Sequence, residues 1–261
     1  MEKSTFLELA KPGLAIPVFK NLLTDTQTPV SLFMKLREEA RYPFLFESVE
    51  GGEHLARYSF MGRNPYQVLK FDQGKVLLTD ERNGRVKPFN EPYFKVLEQL
   101  TSGYKEPEIS DLPRLKGGAV GYSSYDTIRQ VENLPNVPED TLGLPDAIWA
   151  FYDEIIAFDH VKHRVILIKT VFIDTDDKET LEFQYDHAQK SLQALEAVIT
   201  KKTAQGFSKL GIEIDPRLIN LYFKFMIAPF SKESTRAPDD EAIIVLPAVP
   251  IEASRAYCVA V

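Results

Sequence analysis

Two polar side chains, Glu47 and Ser48, directly follow the apolar run Phe44-Leu45-Phe46. If that run is a buried strand, both polar groups must find hydrogen-bonding partners at its end. A satisfied strand end is the simpler interpretation, and residue chemistry alone favours it. The same pair would also suit a small zwitterion with an apolar side chain, because a carboxylate binds an ammonium group and a hydroxyl can orient it.

A nucleophilic enzyme would need a Ser, Cys or Thr beside a base, with a third residue that orients the base. The sequence has no Gly-x-Ser-x-Gly elbow, and its one cysteine, Cys258, lies close to the end of the chain, where residues often fray. Surface positions are expected for the four histidines, His54, His160, His163 and His187. Surface histidines and a packed or exposed thiol are therefore the favoured interpretation over a nucleophilic active site.

The segment His160-x-x-His163, together with Asp159, has residue types that bind zinc. It is also a predicted hairpin turn, where exposed polar residues are expected, and the sequence offers no second ligand cluster. A solvated turn is the favoured interpretation, and we predict no metal site.

The stretch Gly117-Gly118-Ala119-Val120-Gly121 is dense in glycine within a strand-like segment. It lacks the Gly-Lys-Ser/Thr ending of a P-loop and the Gly-x-Gly-x-x-Gly spacing of a dinucleotide fold. Glycine weakens a strand unless another backbone must come close. The pattern therefore predicts a structural role, in which two backbones approach each other.

The net charge and the apolar content limit the kinds of partner that this chain can bind. Hydrophobic residues make up 44% of the 261 positions, which is enough for a sizeable core. The net charge of -7 argues against charge-driven binding of nucleic acid or of an anionic membrane. The N-terminus has no apolar signal core, and the longest apolar stretch is too short and too polar to cross a bilayer. With a single cysteine, the chain suits a reducing compartment, and we expect a cytoplasmic protein.

Hydrophobic periodicity predicts both helices and strands. Thr28 and Pro29 open a helix that Pro43 ends, and apolar residues at helical spacing predict another between Leu181 and Ile199. A further helix is predicted at 91–100, and strands at 44–48, 57–61, 66–71, 75–79, 117–122, 147–158 and 164–173.

The order of these elements indicates the fold class. Hairpins and helices do not alternate as βαβ units, so we predict an α+β fold with mostly antiparallel sheet. The helical periodicity stops after Lys201-Lys202. We therefore divide the chain into a domain at 1–205 and a tail of unknown fold at 206–261.

Ordered motifs between residues 5 and 200 resemble the opening part of anthranilate synthase component I. Their order and spacing match that family, and on this resemblance the chain is identified as a member. The motifs are Thr28-Pro29-Val30, Phe44–Gly52, Ala56–Gly62, Asn64-Pro65, Leu112-Pro113, Gly117–Tyr122, Tyr125-Asp126, Arg129, Glu132, Leu134-Pro135, Pro145-Asp146 and Phe158-Asp159-His160.

The resemblance implies an N-terminal domain of layered αββα fold that packs against a larger chorismate-binding domain. Members of the family make anthranilate and pyruvate from chorismate, with ammonia from a glutamine amidotransferase subunit, at the start of tryptophan biosynthesis. Tryptophan inhibits them from a pocket between the two domains, to which the family's Leu-Glu-Ser segment contributes.

This chain matches that segment, with Phe46 in place of the leucine. The resemblance therefore implies that Ser48 and Glu47 bind tryptophan as an effector. It also implies that the pocket wall is supported by three residues further along, Arg57, Tyr58 and Ser59.

The last part of the sequence departs from the family. Residues 206–261 do not match it, and an Asn-Pro-Ser-Pro-Tyr-Met-Phe segment that completes the family's tryptophan pocket is missing. We expect no cofactor in this chain, because the family's Mg²⁺ is held by the missing domain, and we expect no catalysis by the chain alone. A shifted reading frame or a genuine split subunit would explain the ending, and the abrupt loss of periodicity favours the first.

Two other functions stay open at this point. The chain would also suit the N-terminal part of aminodeoxychorismate synthase component I, in the folate branch. The stretches Glu-Ser-Val-Glu-Gly-Gly and Arg-Tyr-Ser-Phe-Met-Gly favour the tryptophan branch instead. A non-enzymatic tryptophan-binding module is the third hypothesis, and it requires the tail to close the pocket.

Overall fold

The computed structural model describes residues 1–23, 27–38, 40–47, 57–137, 139–140 and 143–200, together with the backbone of 244–247 and 256–260. The helices are α1 (Lys3–Leu9), α2 (Pro29–Leu36), α3 (Tyr93–Thr101) and α4 (Lys178–Thr200), with a 3-10 helix at Tyr125–Gln130. The strands are β1 (Ala15–Leu23), β2 (Phe44–Phe46), β3 (Tyr58–Gly62), β4 (Gln67–Asp72), β5 (Lys75–Asp80), β6 (Arg85–Phe89), β7 (Gly118–Ser124), β8 (Ala147–Tyr152), β9 (Glu154–Asp159), β10 (Arg164–Phe172), β11 (Ile244–Pro247) and β12 (Ala256–Ala260).

These strands form two sheets. The first sheet has the order β1-β10-β9-β3-β2, and the second sheet has the order β11-β12-β7-β8-β4-β5-β6. Neighbouring strands in both sheets pair antiparallel. The predicted α+β class with mostly antiparallel sheet is confirmed.

Three apolar cores lie between four layers. One core joins α1, α2 and α4 to the first sheet, a second lies between the two sheets, and a third joins the second sheet to α3. The layers therefore follow the order helix, sheet, sheet, helix. This arrangement confirms the αββα layering that the sequence resemblance implied.

Strand β10 is buried on both faces. Val165 and Leu167 pack into the core on the helix side, while Ile166 and Ile168 pack into the core between the sheets. Successive side chains of a strand point to opposite faces. A strand covered on both sides therefore appears in the sequence as a continuous apolar run without polar alternation.

Helix α2 begins where the sequence predicts. The Thr28 hydroxyl accepts from the Ser31 backbone N–H at 3.1 Å, and the Thr28 N–H donates to the Ser31 hydroxyl at 2.9 Å. This reciprocal capping gives acceptors to two backbone N–H groups, those of Thr28 and Ser31, and Pro29 occupies the first turn. The helix ends at Leu36, well before Pro43.

Helix α4 buries the face that its periodicity predicts. All six apolar positions of the pattern are buried against the first sheet, which confirms this helix. They are Leu181, Tyr185, Ala188, Leu192, Leu195 and Ile199.

The predicted single strand at 147–158 is wrong. The run is two strands, β8 in the second sheet and β9 in the first, and Asp153 is the residue between them. Asp153 is 6% exposed, and its carboxylate pairs with Arg82 at 2.6 Å and with Lys169 at 2.9 Å. The chain thus changes sheets at a buried carboxylate that two cations satisfy.

The sequence analysis did not predict helix α1 or strands β1 and β6. Both strands lie at an edge of their sheet, and each contains a proline, Pro17 in β1 and Pro88 in β6. Proline lacks the N–H that a central strand needs, but an edge strand tolerates it. Because proline is disfavoured in strands, a prediction based on residue propensity does not identify these two strands.

Two short strands of the tail extend the second sheet. Strand β12 pairs antiparallel with β7, and β11 pairs with β12. The proposed boundary at residue 205 lies outside the described residues, so the division into 1–205 and 206–261 stays a prediction.

Gly121 in β7 allows a close approach to β8. A Cβ atom placed there would lie 1.9 Å from the Ile148 carbonyl oxygen and 2.8 Å from the Trp149 Cα. Both of these are backbone atoms, which cannot move aside cheaply. The glycine-dense stretch therefore allows two backbones to approach, as the sequence predicts.

We predict that Gly121→Ala lowers the free energy of unfolding by about 1–3 kcal/mol, because the new methyl group forces β7 and β8 apart. The matched control is Gly103→Ala, where the nearest atom to the new Cβ is 4.0 Å away. The control should change stability by less than about 0.5 kcal/mol. Urea unfolding followed by circular dichroism measures both, and equal effects of the two variants would refute the close-approach role.

Candidate functional site

The residues proposed from the sequence gather at one edge of the first sheet. Glu47 directly follows β2, Arg57 directly precedes β3, and Tyr58 and Ser59 begin β3. Because β2 and β3 pair antiparallel, Glu47 and Arg57 lie at the same end of the strand pair. Ser48, the other proposed effector residue, lies outside the described residues.

Strand β2 is half-buried, whereas the sequence reading expected a buried strand. It is the edge strand of the first sheet, with Phe44 and Phe46 packed toward the second sheet and Leu45 packed toward the helices. Continued alternation would place Glu47 on the helix side, as for Leu45.

Glu47 is half-buried and forms no hydrogen bond or ion pair with another described residue. An ionised carboxylate is an acceptor-only group that can receive several hydrogen bonds. Among the described residues of the proposed site, it is the group best placed to receive an ammonium ion.

Arg57 holds the start of β3 against the turn between β9 and β10. Its Nε and Nη2 atoms donate to the two Asp159 carboxylate oxygens at 3.2 and 2.9 Å. Its carbonyl oxygen accepts from the His160 backbone N–H at 2.9 Å. Its guanidinium also lies over the Tyr58 ring, 4.8 Å from the centroid. These contacts occupy Arg57 within the protein.

Asp159 is 0% exposed and is surrounded by donors. Besides Arg57, it accepts from the backbone N–H groups of Val161 and Lys162 at 3.2 and 3.1 Å. Burial alone would raise the pKa of Asp159, but the Arg57 hydrogen bonds and these backbone donors outweigh it and hold the pKa below its usual value. The carboxylate is therefore ionised and fully engaged in fixing the turn.

A second carboxylate, Asp111, extends this network at the surface. Its carboxylate pairs with Lys162 and with Arg164, whose Nη1 lies 3.5 Å from one of its oxygens. The Asp111 backbone carbonyl also accepts from Arg164 Nη2 at 3.1 Å. The hydrogen bond from Lys162 lowers the pKa of Asp111. Arg164 also lies 3.5 Å from Asp159, so the cations of the turn connect the two carboxylates.

Ser59 is 1% exposed, and its hydroxyl lies 2.8 Å from the His160 Nε2 atom. The Ser59 hydroxyl is therefore engaged with His160, and its role as a support of the pocket wall stays a prediction.

Tyr58 belongs to an aromatic group on the side of β2 and β3 that faces the second sheet. Burial, followed by the charge of Asp159, raises the pKa of its phenol. The group, which we call the aromatic face, consists of Phe44, Phe46, Tyr58 and Phe60, all of them partly buried. Its members contact one another, with Phe44 and Phe46 at 4.7 Å and Tyr58 and Phe60 at 5.9 Å between ring centroids.

The sequence reading missed the structural role of Asp159 and Asp111. The sequence analysis treats Asp159 as a possible metal ligand in a hairpin turn and as part of the Phe158-Asp159-His160 motif, and it assigns no ion pair to this residue. Its position at the end of an apolar strand, with Arg164 opposite it across the turn, is the signal that could have indicated a buried ion pair. No comparable signal marks Asp111, which approaches the turn only through tertiary folding.

The described part of the chain has neither a metal-ligand cluster nor a membrane-spanning helix. There, no group of three His, Cys, Asp or Glu side chains lies close enough to hold a metal ion. Within the same residues, no helix is both long and apolar enough to span a bilayer.

Comparison with known proteins places the chain in a family. No protein-family model matches it. Anthranilate synthase component 1 of Acetivibrio thermocellus is 41% identical over 166 residues, covering 64% of this chain and 33% of that protein. The same component of Acinetobacter calcoaceticus is 38% identical over 190 residues, covering 70% of this chain and 37% of that protein. The chain therefore belongs to the anthranilate synthase component 1 family.

The chain spans only 33% and 37% of the length of these two relatives. A solved structure, anthranilate synthase component I from Streptococcus pneumoniae TIGR4, is similar at 26% identity with a TM-score of 0.41. That match covers 66% of this chain and 36% of the Streptococcus chain.

We predict that Asp159→Asn lowers the free energy of unfolding at pH 7 by about 3 kcal/mol, because Arg57 loses a buried ionic partner. The matched control is Asp111→Asn, which removes an exposed carboxylate of the same network and should leave stability nearly unchanged. Urea unfolding followed by circular dichroism measures both variants.

The loss should also depend on pH. Because the pKa of Asp159 is lowered by folding, its contribution to stability is present above the usual carboxyl range and is lost as pH falls through the folded pKa. The stability difference between wild type and Asp159→Asn should therefore be largest near neutral pH and shrink on acidification. A difference that does not vary with pH would contradict the ionised assignment.

Proposed function

We propose that the chain is the regulatory N-terminal part of an anthranilate synthase large subunit and that it binds tryptophan as a feedback effector. The observation that carries this proposal is the match to component 1 relatives at 41% and 38% identity over about a third of their length. The proposed effector residues are Glu47 and Ser48, with Arg57, Tyr58 and Ser59 as supports.

The chemistry around Glu47 supports an amino-acid ligand. Its carboxylate is half-buried and has no partner among the described residues, so it can accept from an ammonium group. Apolar side chains of β2 and β3 lie beside it. A free carboxylate beside apolar walls suits a zwitterion with an apolar side chain, such as tryptophan.

Catalysis is assigned to the part of the family protein that this chain does not match. No residue of the chain corresponds to a catalytic position of the family. In the described residues, no group of three His, Cys, Asp or Glu side chains could hold a metal ion. We assign chorismate, Mg²⁺ and the docking of a glutamine amidotransferase subunit to the complete assembly, which we expect to be cytoplasmic.

The aromatic face is the surface we propose for packing against the chorismate-binding domain. Phe44, Phe46, Tyr58 and Phe60 lie on β2 and β3, at one edge of the first sheet, and each is partly buried against the core between the sheets. We expect the parts of these side chains that are not buried to belong to an interface, because contiguous exposed apolar surface usually marks one. The same edge carries Glu47, which would place the effector site beside the interface between the two domains.

We predict that the isolated chain self-associates or is poorly soluble, because the aromatic face lacks its partner. Phe46→Ser should reduce self-association measured by static light scattering over a concentration series. Phe183→Ser is the matched control, since Phe183 lies on α4 and is 71% exposed outside the aromatic face. A stable, monodisperse wild-type monomer would argue against the proposed interface.

We predict saturable binding of L-tryptophan to the full chain, measured by equilibrium dialysis. Glu47→Ala and Ser48→Ala should each weaken it by roughly 1–3 kcal/mol, since each removes a hydrogen-bonding group that contacts the ligand. Glu179→Ala, at an exposed position in the first turn of α4, is the matched control and should bind as wild type does. Unchanged affinity in both test variants would exclude the assigned pocket.

A further inference from the structure

We infer that Asp159 is a positioning residue for the tryptophan site, and that it acts through Arg57. This inference rests on the proposed function, and it adds a residue that contacts neither Glu47 nor the ligand. The geometry that carries it is the way the two ends of segment 47–57 are held at the edge of the first sheet.

The end at Glu47 is held by strand pairing. Glu47 follows β2, whose last residue, Phe46, pairs with Phe60 of β3. The position of Glu47 therefore depends on where β3 lies relative to β2.

The other end is held by Asp159. Both carboxylate oxygens of Asp159 accept from the Arg57 guanidinium, and the Arg57 carbonyl accepts from the next residue of the turn, His160. A bidentate pair fixes orientation as well as distance. The chain therefore enters β3 at a point set by the turn between β9 and β10.

Further hydrogen bonds and an ion pair hold the turn between β9 and β10. Asp159 also accepts from the backbone N–H groups of Val161 and Lys162, and Lys162 pairs with Asp111. Asp159 is fully buried and the Arg57 side chain is 33% exposed, so the pair is partly shielded from water and from salt. A binding site depends on such supporting residues to hold its contact groups in place.

The test measures L-tryptophan affinity and local amide exchange in the same full-length variants. Asp159→Asn removes the charge that holds Arg57. Arg57→Lys keeps the cation but loses the bidentate geometry, and it serves if Asp159→Asn does not fold. Asp177→Asn is the matched control, because Asp177 accepts hydrogen bonds from Thr180 at the start of α4 and does not contact the turn.

We expect Asp159→Asn and Arg57→Lys to raise the dissociation constant for L-tryptophan roughly tenfold, and the control to stay within about twofold. Hydrogen exchange should show faster exchange of the His160 amide, which donates to the Arg57 carbonyl. The amides of Ile166 and Leu167, in the buried middle of β10, provide the reference for global unfolding. The exchange rates of these two amides should not increase.

Three results would overturn the inference. If the His160 amide is released while tryptophan affinity is unchanged, Asp159 does not position the site, and the proposed function stands. If affinity falls without release of the His160 amide, the route through Arg57 is wrong. If the wild-type chain binds no L-tryptophan, the proposed function fails together with this inference.

Discussion

The first sheet depends on the hairpin of β9 and β10, which is apolar in its middle and charged at both ends. Arg164 pairs in register with Asp159 at one end, and Lys169 pairs with Glu154 at the other. Between them, both faces of the hairpin are covered, by helices on one side and by the second sheet on the other. Charged groups therefore fit only at the strand ends, where each can find a partner. The site edge and the sheet crossover lie at these two ends.

Sequence reasoning predicted the parts of the fold that local chemistry determines. The cap at Thr28 and the apolar face of α4 follow from short-range patterns, and both are confirmed. Short-range patterns could not predict the break between β8 and β9, because the two strands are equally apolar although they belong to different sheets. Only the buried carboxylate of Asp153 marks the change of sheet, and its partners are distant in the sequence.

The candidate site also combines features that short-range patterns predict with contacts that only the folded structure reveals. A motif identified Glu47, Arg57, Tyr58 and Ser59, and the structure brings them to one edge of the first sheet. The motif could not reveal that Arg57 is held by Asp159, since the two residues are 102 positions apart. Contacts between distant segments depend on the packing of whole layers. Their partners can therefore be assigned only once the fold is known.

The most direct measurement combines this chain with the part of the Acetivibrio thermocellus relative that it does not match, and follows anthranilate formation from chorismate and ammonia. We expect the combination to form anthranilate and L-tryptophan to inhibit it, because the proposed effector site and the part of the relative to which we assign catalysis are then both present. Anthranilate formation that L-tryptophan does not inhibit, at concentrations that inhibit the intact relative, would contradict a regulatory role for this chain.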